Sequence, residues 1–211
     1  MNRTHTTVFV LVALIALVIG LTVSKALNRQ TAGDPTQLLD AGIVLLPQSR
    51  PLPAVTLTDQ EGAAQAVDRL QGRWTLLFFG YTFCPDICPT TLAELRQLQG
   101  LLPEHSRERL QVVMVSVDPA RDTPQQLKQY LGFFDAGFRG LTGALTDIQT
   151  LSESTGIPFI PGDESQPNYS VDHSGNLALL GPDGRQRGFI RAPLNVQKLA
   201  AQLPGLVAKQ E

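Results

Sequence analysis

Hydrophobic and polar positions along this chain follow two periods, one of strands and one of helices. The run from Thr7 to Ser24 carries no charge and is close to the length that crosses a bilayer as a helix. Asn28 to about Pro53 is polar and broken by proline, with one apolar island at Ile43-Val-Leu-Leu46, and reads as a tether. Trp74-Thr-Leu-Leu-Phe-Phe79, closed by Gly80, has the pattern of a buried strand. Leucines at 92, 95, 98, 101 and 102 give the next stretch one helical face. Leu110 to Val117 is a second buried strand, and Thr123-Pro124 with Gln126 opens a helix through a capping box and a first-turn proline.

The second half continues the alternation. It predicts a short strand near Phe138–Leu141, a helix from about Asp147 to Thr155, and a loop whose tip is Gly162-Asp-Glu-Ser-Gln-Pro167. Asn176–Leu180 and Arg187–Ile190 flank Pro182-Asp-Gly184 as a hairpin, and Asn195 to Leu203 forms a closing helix. Two βα units, an antiparallel hairpin and a last helix define an α/β fold. The expected form is a thioredoxin-like mixed sheet with helices on both faces, preceded by one N-terminal transmembrane helix. The implied division is a short tail at 1–6, an anchor at 7–24, a tether at 25–50 and one domain at 51–211. Ser24-Lys25-Ala26 fits a signal-peptidase site, but the apolar run exceeds the about 7–15 residues of a secretory core, so an uncleaved anchor is favoured. Arg3 lies before the run and Lys25 and Arg29 after it, a balance that leaves orientation open.

Composition adds exclusions. With 17 Lys+Arg against 19 Asp+Glu, the net charge of −2 offers no electrostatic footprint for nucleic acid. Two cysteines are too few for a disulfide scaffold, and a chain of 211 residues does not need one.

Those two cysteines carry the candidate chemistry. Gly80-Tyr-Thr-Phe-Cys84-Pro-Asp-Ile-Cys88-Pro89 lies where the first strand hands over to its helix, the end of a sheet strand at which α/β proteins place ligands. Either Cys88 caps the helix with Pro89 in its first turn, or Thr91 caps with Glu94 completing a box. Both put the thiols at the positive helix end, which favours thiolate. Buried small residues are the bland alternative, and Pro85 and Asp86 make a poor core environment. A redox pair is open, although the spacing has three intervening residues where thioredoxin-type pairs have two. A soft-metal site is equally open and needs a third ligand. His5 precedes the apolar run and His105 sits in a charged connection. His173, in Tyr169-Ser-Val-Asp-His173-Ser-Gly175, lies between the long loop and the hairpin.

Tyr81-Thr-x-Cys84-Pro-Asp-x-Cys88-Pro89, Val117-Asp-Pro-x-Arg-Asp-Thr-Pro124 and Tyr169-x-Val-Asp-His173-Ser174 together resemble the Sco/SenC family of copper chaperones, over roughly Leu52 to Leu203. The resemblance implies Cu(I) and Cu(II) held by Cys84, Cys88 and His173. It implies service to the binuclear copper site of cytochrome c oxidase, by delivering copper, by reducing that site's cysteines, or both. The copper-site subunit of the oxidase is then the expected partner, with other copper donors or thiol reductants beside it. The expected location is a single-pass anchor in a bacterial inner membrane with the domain in the periplasm. Such a protein is a binding and transfer protein more than an enzyme with turnover. Asp118, Asp172 and Tyr81 are the expected supporting residues, while Arg121 to Pro124 are expected to end a loop and cap a helix. With only Met1 and Met114, a methionine-cluster copper carrier is disfavoured. The rival reading is a periplasmic thiol-disulfide oxidoreductase using Cys84 and Cys88 without metal; peroxide reduction lacks identifiable supporting groups.

Overall fold

In the computed structural model, residues 11–20, 34–166 and 168–208 are described. Residues 11–20 are helical and exposed, whereas the rest of the expected anchor at 7–24 lies outside the described residues, as does His5. Among the described residues no helix is long and apolar enough to cross a membrane.

The domain is built on one eight-stranded sheet with order β1-β8-β7-β4-β5-β6-β2-β3. Its strands are β1 (Ile43–Arg50), β2 (Thr56–Asp59), β3 (Ala64–Ala66), β4 (Trp74–Gly80), β5 (Leu110–Ser116), β6 (Arg139–Thr142), β7 (Leu177–Leu180) and β8 (Gln186–Ile190). β4, β5 and β6 run parallel, and every other neighbouring pair is antiparallel. All of β5 and all of β4 except Trp74 are buried; side chains alternate along a strand, so both faces of the sheet's centre are covered. The helices are α1 (Pro35–Asp40), α2 (Ile87–Leu101), α3 (Glu104–Glu108), α4 (Pro124–Gly132), α5 (Leu145–Thr155) and α6 (Val196–Val207). α2 and α6 lie against each other, α4 against β6, and α5 against β2. The result is the expected thioredoxin-like mixed sheet.

Five expectations need correction. Residues 34–50 were to be tether, yet α1 and β1 belong to the domain: Asp34 caps α1 by accepting the Thr36 N–H at 2.9 Å, and Ile43, Val44 and Leu45 pair with Ile190, Phe189 and Gly188 of β8. Pro47 hid this strand. It has no N–H to give to a ladder, and it is tolerated because β1 is an edge strand whose register slips between Leu45 and Arg50. β2 and β3 were also not predicted. Each is short, and β2 buries only Leu57 fully, so neither leaves a periodic signature. α2 begins at Ile87, with Asp86 as N-cap, so neither Cys88 nor Thr91 is the cap. Finally, Thr123 does cap α4 by accepting the Gln126 N–H at 3.2 Å, but Gln126 turns its amide toward Thr82 Oγ1, 3.4 Å away, and does not close a capping box. α6 also runs past its expected end at Leu203 through Pro204 to Val207.

If β1 is integral to the domain, Ile43 is core. Ile43→Ala is expected to lower unfolding free energy by about 2–5 kcal/mol, measured by urea denaturation of the full chain; a loss below about 0.5 kcal/mol would return β1 to the tether.

Candidate metal centre

The site is assembled from the carboxyl end of β4 outward. Gly80 closes that strand because nothing larger fits: a Cβ there would meet Cys88 Sγ at 2.8 Å and Phe78 Cε1 at 2.7 Å. The space a side chain would take is occupied by the sulfur of Cys88, which is fully buried in the first turn of α2. Two backbone amides grip the sulfurs. Tyr81 N–H donates to Cys88 Sγ at 3.4 Å, and Cys88 N–H donates to Cys84 Sγ at 3.4 Å. The second bond explains why α2 starts without a side-chain cap from Asp86: the half-buried Cys84 sulfur receives one of the orphan amides of the first turn.

His173 arrives from the connection between α5 and β7, eighty-five positions after Cys88, and its Nε2 lies 3.4 Å from Cys88 Sγ. The two sulfurs and an imidazole nitrogen all fall within 4.8 Å of one another. Its Nδ1 faces the Ser174 carbonyl at 3.4 Å. A carbonyl only accepts, so Nδ1 carries the proton and Nε2 presents its lone pair to the sulfurs, the arrangement metal-binding histidines use. The ring is held edge-on by Tyr81, with centroids 5.4 Å apart, and by Phe78 at 6.1 Å.

Burial sets the protonation states. Desolvation lowers the His173 pKa, outweighing the opposing Ser174 carbonyl and Asp172 charge, so the imidazole is neutral at pH 7. Desolvation raises the Cys88 pKa, against the Tyr81 amide, and the neighbouring Cys84 and Asp122 charges raise it further. The expectation that the helix end favours a free thiolate is therefore wrong for Cys88: burial outweighs the helix terminus. The Cys88 thiol faces His173 Nε2 at 3.4 Å, and a cation held here would take the place of the thiol proton. Metal–ligand bonds of about 2.0–2.3 Å put trigonal donors roughly 4 Å apart, so three atoms within 4.8 Å close on one ion by movements on the order of 1 Å. Two thiolates and an imidazole are soft to borderline donors, suited to copper or zinc.

Of the expected supporting residues, Tyr81 contributes most. Its ring flanks His173, its amide holds Cys88, and its hydroxyl accepts the Val171 N–H at 3.3 Å. Asp172 acts through its backbone: its side chain is exposed, while its N–H and C=O pair with Ile160 at 3.1 and 2.8 Å and fix the strand-like entry to His173. Asp118 touches none of the three ligand residues; its carboxylate serves Arg121 and Tyr169. Asp122, expected only to end a loop, is a fully buried carboxylate that accepts from Ser116 Oγ at 2.7 Å, Thr82 N–H at 3.0 Å and Thr82 Oγ1 at 2.6 Å. It pins the segment leading into Cys84 to the end of β5. The signal was present in Asp118-Pro-Ala-Arg-Asp122, but nothing local says which acid turns inward. His105 is exposed on α3 and takes no part.

A thioredoxin-like sheet that brings two thiols and a neutral imidazole within reach of one ion defines a metal-binding member of that fold class. The SCO1/SenC family model matches residues 48–208, and the chain belongs to that family. A Stutzerimonas stutzeri protein whose name proposes copper binding is 54% identical over 177 residues, which cover 83% of this chain and 87% of the relative. Among solved structures, Arabidopsis thaliana ScoI with copper bound is 32% identical with a TM-score of 0.66, over 75% of this chain and 96% of that one. Apo Sco1 from Thermus thermophilus is 30% identical with a TM-score of 0.68, over 78% and 95% of the two chains.

The lowered His173 pKa has a consequence for stability. Its unfolded value is near the ordinary 6.5 and its folded value lies below that, so the unfolded chain takes the proton first as pH falls. Stability from this group is complete above about 6.5 and drains away as pH drops through the folded value. Metal-free protein should therefore lose unfolding free energy between pH 7.5 and 5.5 in urea titrations, and His173→Ala should flatten that slope; an equal slope in the variant refutes the assignment.

Proposed function

We propose that this chain is a copper carrier tethered to the bacterial inner membrane, with its domain in the periplasm. Its task there is the assembly of the binuclear copper site of cytochrome c oxidase. The observation that carries the copper reading is His173 Nε2 lying 3.4 Å from Cys88 Sγ, with Cys84 Sγ within 4.8 Å of both. Membership of the SCO1/SenC family and the likeness to ScoI with copper bound support it. Two thiolates and one imidazole give about −1 around Cu(I) and about 0 around Cu(II), so a single small site accepts both oxidation states. Each thiol that binds gives up a proton, so loading weakens as pH falls.

An anaerobic copper titration followed by absorption tests this. The wild type should bind one equivalent of either ion and show sulfur-to-Cu(II) charge transfer. His173→Ala should lose about 100-fold or more in Cu(II) affinity and keep most of its Cu(I) affinity, because two thiolates suffice for Cu(I). Full Cu(II) affinity in the variant would reject the ligand set.

The paired sulfurs also favour a second reading, reduction of the acceptor's disulfide. In that step Cys84 and Cys88 form a disulfide, and two electrons and two protons pass to the partner's two sulfurs. A purely thiol mechanism predicts that His173→Ala reduces a disulfide partner at the wild-type rate in the same preparation.

The tether follows from the uncharged run at 7–24. Alkaline phosphatase fused after Ala208 should be active in intact bacteria, and the chain should stay with membranes at high salt and carbonate pH. A soluble or cytoplasmic product would remove this part of the reading.

A further inference from the structure

The connection that carries His173 is long and is fixed to the domain at several separate points. One of them is a side chain that reaches both halves of the site. Arg121 sits in the turn between β5 and α4. Its Nε donates to Asp118 Oδ2 at 2.5 Å and its Nη2 donates to the Tyr169 carbonyl at 2.9 Å. The guanidinium carbon lies 3.7 Å from the centroid of the Tyr169 ring, 4.9 Å from that of Phe83 and 5.7 Å from that of Tyr81. Tyr169 Oη in turn donates to Asp118 Oδ1 at 2.6 Å, so the two oxygens of one buried carboxylate hold the arginine and the tyrosine together. Desolvation, then the hydrogen bond and charge of Asp118, push the Tyr169 phenol up to about 12, so this hydroxyl remains a donor at neutral pH.

The two rings nearest the guanidinium belong to different parts of the chain. Tyr169 precedes His173 by four residues, and Phe83, a residue 53% exposed, immediately precedes Cys84 and rests its ring on Arg121. We propose that Arg121 is a positioning residue: it latches the His173 connection to the cysteine loop and so sets how readily the imidazole reaches the sulfurs. Only arginine offers this combination. A planar cation stacks on one ring, supports a second and still directs N–H groups in plane to a carboxylate and a carbonyl; lysine supplies a point charge without plane or fork. A latch of this kind leaves the two sulfurs in place when it opens, because their grip comes from the Tyr81 and Cys88 amides. Its loss should therefore fall on Cu(II), which needs the imidazole, far more than on Cu(I).

This inference rests on the copper reading for one of its two readouts and is independent of it for the other. Full-length wild type, Arg121→Lys, Tyr169→Leu and His173→Ala are compared. In metal-free protein, amide hydrogen exchange reports the Ile160–Asp172 bridge that leads into His173, and both latch variants should exchange those two amides about tenfold faster than wild type. In copper titrations, both should lose about tenfold in Cu(II) affinity with less than about threefold change for Cu(I). Unchanged exchange in Tyr169→Leu overturns the latch whatever copper does, and where His173→Ala loses Cu(II) affinity, faster exchange with wild-type Cu(II) affinity in the latch variants overturns it as well. If His173→Ala keeps Cu(II) affinity, the ligand reading fails, and the exchange result still decides whether Arg121 holds the connection. Should Arg121→Lys fail to fold by thermal melting, Tyr169→Leu carries the test, since its part-buried loop side chain leaves the Asp118–Arg121 pair standing.

Discussion

The contact between Cys88 Sγ and His173 Nε2, 3.4 Å long and spanning eighty-five positions, is the constraint around which the rest of this site is arranged. It requires a sulfur deep in the sheet's end, which in turn requires a glycine at position 80, because any side chain there would occupy the same space. It also requires an imidazole carried on a connection without regular structure to be returned to one place. The Ile160–Asp172 bridge, the Val171 amide on Tyr81 Oη and the Tyr81 and Phe78 rings do that from successive positions along the approach. A mobile connection would leave the ring to search; several weak, spaced attachments cut the entropy of that search before an ion binds.

Two electrostatic effects compete at Cys88, and their balance decides what the site can do. The first turn of α2 offers a partial positive charge worth about 0.3–1 kcal/mol to an anion at an exposed position. Burial opposes it, and burial is the larger effect for a sulfur with no exposed surface. The thiol therefore stays protonated until something brings compensating charge. A metal cation does so, and the neutral His173 beside it is already in the tautomer that ligates. The same burial that suppresses a free thiolate thus makes the site selective for a charged guest over simple deprotonation.

The central sheet and the candidate cysteines were open to sequence reasoning because their signals are dense, whereas His173 joined them only through the resemblance to the Sco/SenC family. β4 and β5 are unbroken apolar runs, the α2 leucines repeat at helical spacing, and the two cysteines stand at a strand end. What escaped was governed by partners distant in the chain. β1 contains a proline that would end most strands, and it persists because β8 supplies the pairing and the open edge needs no further donor. α2 starts a turn earlier than its caps suggest because a sulfur, not a Ser or Asp side chain, receives its first free amide. Among the supporting residues the motif Asp118 to Pro124 was visible as a unit, but its division of labour was not. Thr123 and Pro124 cap and open α4 as local rules require, whereas Asp122 and Arg121 are turned toward Thr82 and Tyr169 by contacts that sequence spacing does not encode.

The distribution of rigidity across the site carries a chemical consequence. Both sulfurs are held by backbone amides at the junction of a central strand and its helix. The imidazole enters on a connection held by side chains and one isolated bridge, where small displacements cost little. Cu(I) is content with two soft thiolates, whereas Cu(II) gains from a nitrogen donor, so the two oxidation states draw differently on the rigid and the adjustable parts. The imidazole is thus the donor whose position the chain can adjust, while the paired sulfurs stay fixed by the Tyr81 and Cys88 amides.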